Sequence, residues 1–448
     1  MGTLENHPTV IRLRKHATTE AARDRSHSLE ACRLRQLVLA AGADDVGFVG
    51  LMREEVRDQR EDILRVFPRA KTLLSFVCRM NRENVRSPAR SIANLEFHHA
   101  GDTVNEVARQ IVHALEEEGI RAINGGAMGF PMETQHWPTK MWMVSHKPVA
   151  AAAGLGRMGI HRNLIHPRFG NFILLGTVIL EAAVDEESRP IDYNPCLECK
   201  LCIAACPVGA IGNDGQFHFS ACYTHNYREF MGGFTDWVAT VADSRNAAAY
   251  RRRVDDAESV SLWQSLSYGA NYKAAYCMAV CPAGDEVIRP FLDDRKAYLK
   301  EVVRPLQEKA ETVYVIAGSD AEELVGRRFP HKIRKRVNNS LRPTSIQAFL
   351  HGLPLLFQPG RAASLDATYH FRFTGRESAE ATVVIRDARL DVLEGHQGRP
   401  DFRLTADTAT WLDFLAKERN LAWALLRGRI RFRGSPRWLF AFARCFPG

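Results

Sequence analysis

Four cysteines followed by a proline set the strictest limit on how this chain of 448 residues can fold. They form the run Cys196-x2-Cys199-x2-Cys202-x3-Cys206-Pro207. Three thiolates spaced in this way on a tight loop can surround one cubic iron–sulfur cluster, and the fourth points away to a neighbouring cluster. Zinc sites rarely use a third and a fourth cysteine at this spacing. The run therefore predicts iron–sulfur clusters and a redox role.

A second half-motif, Cys277-x3-Cys281-Pro282, matches the end of another such run. The spacing is that of bacterial two-cluster ferredoxins, in which the last cysteine of each run crosses to the other cluster. The first cluster is predicted to be bound by Cys196, Cys199, Cys202 and Cys281. The second is predicted to be bound by Cys206, Cys277 and Cys222.

The second cluster is then one ligand short, because Ala274 occupies the position where a complete run has cysteine. Three explanations compete with the simpler one of a single cluster. His225, three residues after Cys222, is a candidate metal ligand. The cluster could instead hold three irons, or the isolated Cys78 could fold over the site.

The compartment is predicted from absences in the sequence. The first 35 residues are polar and charged and lack the apolar core of a secretory signal. The sequence contains no run of about 18 apolar residues, so no membrane span is predicted. The cytoplasm is the expected location, and ten cysteines there favour metal binding or catalysis over disulfides.

The formal net charge of +8 permits an acidic partner such as RNA, an anionic cofactor or an acidic redox protein. It is equally the charge of an ordinary soluble protein. The densest basic run, residues 327–336, could bind phosphates or face solvent between domains.

The pattern of apolar residues divides the chain into four parts. Residues 1–190 alternate helical and strand signals, which indicates an α/β domain. Residues 191–290 hold the cysteine module, and 291–339 are predicted to be a helical linker. Residues 340–448 read as strands followed by helices, which predicts a separate small α+β domain.

A glycine-rich segment, residues 153–172, precedes the cysteines. Closely spaced glycines let a backbone approach a bulky ligand. A dinucleotide fold is disfavoured because no convincing first strand precedes the glycines and no acidic residue follows at the right distance. The candidate cofactor-binding residues are Gly154, Leu155, Gly156, Gly159, His161, Arg162, Asn163, Leu164, His166, Gly170, Asn171 and Phe172.

The order of these motifs resembles the epoxyqueuosine reductase and reductive dehalogenase family. The phrases that carry the resemblance are residues 153–165, 170–176 and 196–207. It implies a nitroreductase-like α/β domain that holds cobalamin without an axial base, followed by a two-cluster ferredoxin-like module. It also implies that one cluster lies close to the corrin.

The chain departs from this family where an aspartate is expected to supply a proton. Ser145 stands at that position, and His146 and Lys147 follow it. A histidine of near-neutral pKa or a desolvated lysine can donate a proton. These three are the candidate catalytic residues, and either basic group could equally contact a cofactor or face solvent.

The C-terminal part resembles the sterol carrier protein type 2 domain. The similar phrases are residues 402–411 and 426–434. The resemblance implies an apolar interior for a hydrophobic ligand, although the same residues would also build an ordinary core.

These features together predict a cobalamin-dependent iron–sulfur reductase. It would cleave a carbon–halogen or carbon–oxygen bond of a small or hydrophobic molecule, with electrons from a donor such as ferredoxin or flavodoxin. One alternative is an electron-transfer protein with a lipid-binding domain. Another is an epoxyqueuosine-type tRNA reductase, for which nucleic acid would be the partner.

Overall fold

The structure, a computed structural model, describes residues 4–16, 28–126, 142–338 and 341–448. Its first part combines six helices with six strands. These are α1 (Pro8–His16), α2 (Ala31–Ala40), β1 (Asp45–Gly50), α3 (Arg57–Val66), β2 (Thr72–Arg79), α4 (Arg82–Arg86), α5 (Arg90–Glu117), β3 (Ala122–Asn124), α6 (His146–Ala152), β4 (Arg157–Met158), β5 (Leu164–Ile165) and β6 (Ile173–Leu180).

Four of these strands form an antiparallel sheet in the order β1-β2-β6-β3. β2 is central, and seven of its eight residues are buried. Side chains of α2 and α5 pack on one face of the sheet and those of α3 and α6 on the other. Burial of a strand on both faces explains why β2 and β6 are nearly continuous apolar runs. The mixture of helices and strands predicted for this part is confirmed.

The cysteine region is helical. Its elements, and those that follow directly, are α7 (Leu201–Ala205), α8 (Phe219–Asn226), α9 (Gly232–Ala242), α10 (Ala247–Arg251), α11 (Asp256–Tyr268), α12 (Tyr276–Ala279), α13 (Arg289–Asp293), α14 (Arg295–Tyr298) and α15 (Arg304–Glu308). The short helices α7 and α12 pack against each other, and α9 to α11 form an insertion between them.

The prediction of a wholly helical linker over residues 291–339 is wrong. It contains β7 (Thr312–Ile316), α16 (Asp320–Arg328) and β8 (Ile333–Val337), and the two strands pair in parallel. β7 is rich in β-branched residues and four of its five residues are buried. The basic run at 327–336 ends α16 and builds β8. Residue 339, at the end of the predicted linker, lies outside the described residues.

The C-terminal part is a five-stranded sheet with helices, as predicted. Its elements are α17 (Ile346–Leu356), β9 (Ala367–Thr374), β10 (Ala379–Arg386), β11 (Arg389–Glu394), β12 (Phe402–Asp407), α18 (Thr408–Leu415), α19 (Leu421–Leu426), β13 (Ile430–Arg433) and α20 (Pro436–Cys445). The strand order is β11-β10-β9-β12-β13, and only β12 and β9 are parallel.

The interior of this sheet is filled by aromatic side chains. Phe349 contacts Phe371, Phe373 and Trp411 through rings 5.5–6.2 Å apart. Such edge-on contacts add to the stability gained from burial. The part is joined to the cysteine region by the Gln358 side chain, which donates to Ser220 Oγ at 3.0 Å, near the start of α8.

Among the described residues, no helix has the length and apolar character needed to cross a membrane.

Candidate functional site

The four cysteines assigned to the first cluster line one small cavity. Cys196, Cys199, Cys202 and Cys281 all contribute to its wall, together with Ile160, His161 and Lys200. Burial raises the pKa of the Cys281 thiol to about 12, with further increases from the charges of Cys199, Cys196 and Cys277. Burial raises the pKa of Cys202 most, and the charges of Cys277, Cys281, Cys199 and Cys196 raise it further. The structure therefore brings together the set that crossover ligation requires.

The three cysteines assigned to the second cluster form another group. Burial raises the pKa of Cys222, and the charges of Cys277 and Cys206 raise it further. Burial and the charge of Cys206 raise the pKa of Cys277 to about 11. The side chains of Cys222 and Cys277 are intermediate in exposure, and Cys206 is buried.

Backbone amides point at Cys206. Ala210 N–H donates to its sulfur at 3.3 Å. Burial raises the pKa of this thiol, and the N–H groups of Ala210, Val208 and Gly209 oppose that rise. Donors of this kind stabilise the negative charge of a sulfur ligand and tune cluster potentials. The four thiols and the cavity fit the binding of an iron–sulfur cluster at the first group, and the three thiols with the amides at Cys206 fit it at the second.

No three His, Cys, Asp or Glu side chains in the described parts of the chain are close enough to hold a single metal ion. The cysteines of an iron–sulfur cluster bind different iron atoms and surround a larger volume than the ligands of one ion.

Two further side chains, Cys78 and His225, are candidates for the missing ligand of the second cluster. Cys78 is buried in β2, within the core that contacts α2 and α5, so the prediction that it covers the site is wrong. His225 Nδ1 accepts from Tyr314 N–H at 3.4 Å in β7. Its Nε2 is buried and has no hydrogen-bond partner. Burial lowers the pKa of His225 to about 4, so the ring is neutral.

Lys147 and Asn163 lie beside the second group. Lys147 Nζ donates to Asn163 Oδ1 at 3.0 Å and to Arg162 O at 2.9 Å. Asn163 Nδ2 in turn donates to Cys277 Sγ at 3.8 Å. Burial lowers the pKa of Lys147, and the thiolate charges of Cys277 and Cys222 oppose that shift. This chain of donors connects the lysine to the sulfur of Cys277.

The other two candidate catalytic residues are fully used by the fold or face solvent. His146 is buried on α6, with Nε2 donating to Gly126 O at 2.9 Å and Nδ1 2.8 Å from Thr177 Oγ1. Burial lowers its pKa, which favours the neutral ring. Ser145 is exposed, and its backbone pairs with the side chain of Gln59.

The candidate cofactor-binding glycines contact the chain itself. A side chain at Gly154 would meet Arg189 O at 2.4 Å, at Gly156 Ile165 O at 2.3 Å, and at Gly170 Ala283 O at 2.1 Å. All three have positive φ. Glycine is therefore required for close packing and for backbone shape at these positions. The binding of a cofactor there stays a prediction.

The histidines of the same segment differ in their surroundings. His161 lines the first cavity, and its Nδ1 accepts from Asn163 N–H at 3.1 Å. Burial lowers the pKa of His161 to about 4, helped by the charge of Lys147. His166 instead stacks on Phe169, and its Nε2 lies 3.1 Å from Asp45 Oδ2.

Most of the remaining candidates are buried or turned inward. Leu155, Leu164, Asn171 and Phe172 are at most 3% exposed. Gly159 abuts Ile165 and the His161 ring. Arg162 has a positive φ of 62° in the turn before Asn163.

A cavity of about 560 Å³, here called the large cavity, lies between α5, α11 and β7. Most of its wall is polar or charged, including Arg90, Glu258, Tyr272, Lys273 and Glu311. Sequence reasoning missed these residues because they come from segments far apart in the chain and no short motif joins them.

The large cavity adjoins the second cysteine group at two places. The charge of Cys277 is among those that raise the pKa of Arg90, although burial lowers it more. Tyr272 packs edge-on against Tyr227 with 5.8 Å between ring centroids. The pKa of Tyr227 is raised by burial and also by the charges of Tyr272, Cys222 and Cys277.

The sequence matches epoxyqueuosine reductases. It is 34% identical to that of Lactococcus garvieae over 77 residues, 17% of this chain and 21% of the relative. It is 27% identical to that of Gloeobacter violaceus over 173 residues, 37% of this chain and 49% of the relative. The chain therefore spans between a fifth and a half of the length of these relatives. The predicted resemblance is confirmed.

The C-terminal resemblance is confirmed by a match of residues 356–446 to the SCP-2 sterol transfer family. Solved structures are similar only distantly. A reductive dehalogenase whose structure suggests a mechanism for B12-dependent dehalogenation has a TM-score of 0.39 and 17% identity, covering 64% of this chain and 36% of that one. Epoxyqueuosine reductase from Streptococcus thermophilus has a TM-score of 0.35 and 16% identity, covering 61% and 75%. Scores this low carry no argument about function.

Proposed function

We propose that this chain is a two-cluster iron–sulfur oxidoreductase that reduces a small organic molecule bound in the large cavity. The observation that carries the proposal is that Cys196, Cys199, Cys202 and Cys281 line one small cavity, while Cys206, Cys222 and Cys277 lie close enough to affect one another's pKa values. Clusters bound by such groups pass single electrons between a donor and an acceptor. The sequence similarity to epoxyqueuosine reductases supports the same class of activity.

The proposed reaction is reductive cleavage of a carbon–halogen or carbon–oxygen bond. Two electrons and one proton convert R–X into R–H and X⁻, so the site needs an electron path and a proton donor. Two lysines have a pKa lowered by burial near the second group and the cavity. These are Lys147, joined to Cys277 through Asn163, and Lys309 in the cavity wall. A lowered pKa makes a lysine a better acid near neutral pH.

The cavity favours a polar substrate. Two of its carboxylates are paired with cations, Glu258 with Lys335 and Glu311 with Lys309 and Lys332. Paired charges in a wall can hydrogen-bond to a ligand at little desolvation cost. A hydrophobic ligand would belong to the C-terminal part, whose family match is to sterol transfer proteins.

Cobalamin enters the proposal through the sequence resemblance. The residues first expected to hold the corrin do not form an open cradle, because Gly154, Gly156 and Gly170 back onto carbonyl groups of the chain. The proposed reaction therefore does not depend on a corrin held at these three glycines. Its binding is a separate measurement, and external donors such as ferredoxin or flavodoxin stay part of the proposal.

The test is anaerobic reconstitution with iron and sulfide, followed by paramagnetic resonance of the reduced protein. Cys202→Ala is expected to remove the first cluster signal and Cys277→Ala the second. Cys78→Ala, a matched control in a sheet core, should remove neither. Protein that binds no iron in either group would refute the proposal.

Reconstituted protein would then be tested with cobalamin, with tRNA, and with polar halides and epoxides in the presence of a one-electron donor. Turnover that is lost in Lys309→Met would support the large cavity as the reaction site. Salt-sensitive tRNA binding without turnover of small molecules would favour the tRNA reductase instead. Clusters that cycle with none of these substrates would favour the electron carrier.

A further inference from the structure

The second cysteine group offers three thiolates where the first offers four, and the structure shows which position lacks its ligand. Helices α7 and α12 begin in the same way. The residue before each helix is left-handed, Lys200 with φ 61° and Ala275 with φ 56°. A non-glycine residue in this region is uncommon, so its recurrence marks two copies of one backbone turn.

When the two turns are aligned residue by residue, their cysteine positions correspond. Cys202 is the second residue of α7 and Cys277 the second residue of α12. Cys199 directly precedes Lys200, and Ala274 directly precedes Ala275. Ala274 therefore stands where the first turn presents a cluster ligand, and it is buried.

The residue of α8 that contacts this position is Asn226. Its Oδ1 accepts from Ala274 N–H at 2.9 Å, and its carbonyl accepts from Lys273 N–H at 3.3 Å. Cys222 and Asn226 are one turn apart and share a face of α8. His225 is directed instead at β7, where its Nδ1 accepts from Tyr314 N–H.

We propose, on the basis of the function proposed above, that Cys206, Cys222 and Cys277 hold a four-iron cluster whose fourth iron, at the corner next to Ala274, has no protein ligand and binds an exogenous oxygen donor. The logic is that of metal sites in general: structural sites are closed by protein ligands, whereas catalytic sites keep one position open.

The surroundings of that corner favour an anionic or hydroxyl oxygen. Arg90 lies close enough to Cys277 and to Glu311 for their charges to affect its pKa. Lys147 lies close enough to Cys277 and Cys222 to do the same on the other side. Asn271, Tyr272 and Lys273 line the large cavity and lead directly to Ala274 in the chain. Water or hydroxide would occupy the iron at rest, and a hydroxyl or carboxylate oxygen of a substrate would replace it.

The experiment uses the whole anaerobically reconstituted protein. Ferricyanide removes one electron from a [4Fe–4S]²⁺ cluster with an open corner, and the cluster releases one Fe²⁺ to leave [3Fe–4S]⁺. We expect about one iron per chain to be released from the wild type, with a three-iron resonance signal of similar yield. The first group, closed by four cysteines, is the internal control and should keep its irons.

Ala274→Cys supplies the missing thiolate and is expected to abolish both the iron release and the three-iron signal. His225→Gln removes the competing candidate and should leave the wild-type yield unchanged. A three-iron cluster already present before oxidation, or an equal release of iron from Ala274→Cys, would overturn the proposal. A second cluster that survives oxidation intact in the wild type would do the same.

A second measurement needs no variant. Water enriched in the magnetic isotope of oxygen should broaden the resonance of the reduced second cluster in the wild type, because the oxygen would bind iron directly. Unbroadened signals would contradict the open corner while leaving the two-cluster oxidoreductase intact. Absence of both clusters would instead refute the proposed function itself.

Discussion

Arg228 is the centre of a buried ion network that builds the wall of the large cavity. Its guanidinium donates to Asp236 Oδ2 at 2.6 Å and to Glu258 Oε1 at 3.3 Å. The three side chains are between 3% and 6% exposed. The network joins α9, α11 and β8, because Lys335 also pairs with Glu258. Replacing Arg228 by methionine keeps much of the side-chain volume and removes the charge.

The expected loss of stability depends on the hydrogen-bonding and ion-pair partners that Asp236 and Glu258 retain. Removal of one partner from a buried ion pair costs about 3–5 kcal/mol, because a charge is left uncompensated. Asp236 retains the Asn338 amide at 3.0 Å and Glu258 retains Lys335, so we expect the lower end, about 3 kcal/mol. That is on the order of a hundredfold in a local opening equilibrium.

Hydrogen exchange read by mass spectrometry measures that opening directly. Peptides from residues 232–268 should exchange on the order of a hundredfold faster in Arg228→Met than in the wild type. Arg251→Met is the matched control, since Arg251 pairs with Asp256 on the surface at 64% and 82% exposure. Exposed pairs contribute about 0–1 kcal/mol, so this variant should exchange nearly as the wild type. Equal protection in the two variants would refute the argument from burial.

Three further predictions concern other parts of the chain. Burial alone would raise the pKa of Asp45, but hydrogen bonds from His166 and from its neighbour Val46 lower it. The resulting stabilisation is present above the unfolded-state pKa and is lost as pH falls through the folded-state pKa, so urea unfolding should show Asp45→Asn to be less stable than the wild type at pH 7, by under about 1 kcal/mol because the site is partly exposed, and equally stable in acid. A stability difference that persists in acid would contradict this prediction. Alkylation at pH 8 of the cluster-loaded protein should modify the exposed Cys32 and spare Cys78 and Cys445, whose pKa values burial raises to about 12 and about 11; mass spectrometry of peptides checks this, and early labelling of either buried thiol would count against it. Lys147→Met removes a positive charge beside Cys277 and should make the reduction potential of the second cluster more negative. Lys200→Met, in the wall of the first cavity, should change the reduction potential of the first cluster instead. Redox titration followed by paramagnetic resonance separates the two potentials, and a shift of both potentials by either variant would refute the assignment.

The cysteine groups could be predicted from the sequence because their signal is local. Cys196, Cys199 and Cys202 lie within one loop and one turn of helix, so spacing alone defines their geometry. Crossover of Cys281 follows from the same spacing rule and agrees with the cavity it lines. Ala274 was also recognisable as a gap, because a repeated motif makes a missing residue visible.

The parts that sequence reasoning missed depend on contacts between distant segments. β7 and β8 flank a highly charged helix, so composition over that window suggested helix throughout. Arg90 reaches Cys277 across 187 positions of the chain, and no periodicity marks it. His146 resembles a proton donor in sequence, yet Gly126 and Thr177 engage both of its ring nitrogens.

The two ends of the cysteine module must meet for either group to form, and the helices between them build the large cavity. Cys202 and Cys281 belong to α7 and α12, which pack together, whereas α9 to α11 fill the intervening sequence. Closing so long a loop has an entropic cost, which binding of metal at the shared site would offset. Because Glu258 on α11 both lines the cavity and pairs with Arg228, order in the insertion is transmitted to the cavity wall. We therefore expect the wall of the large cavity to become ordered together with the cysteine groups.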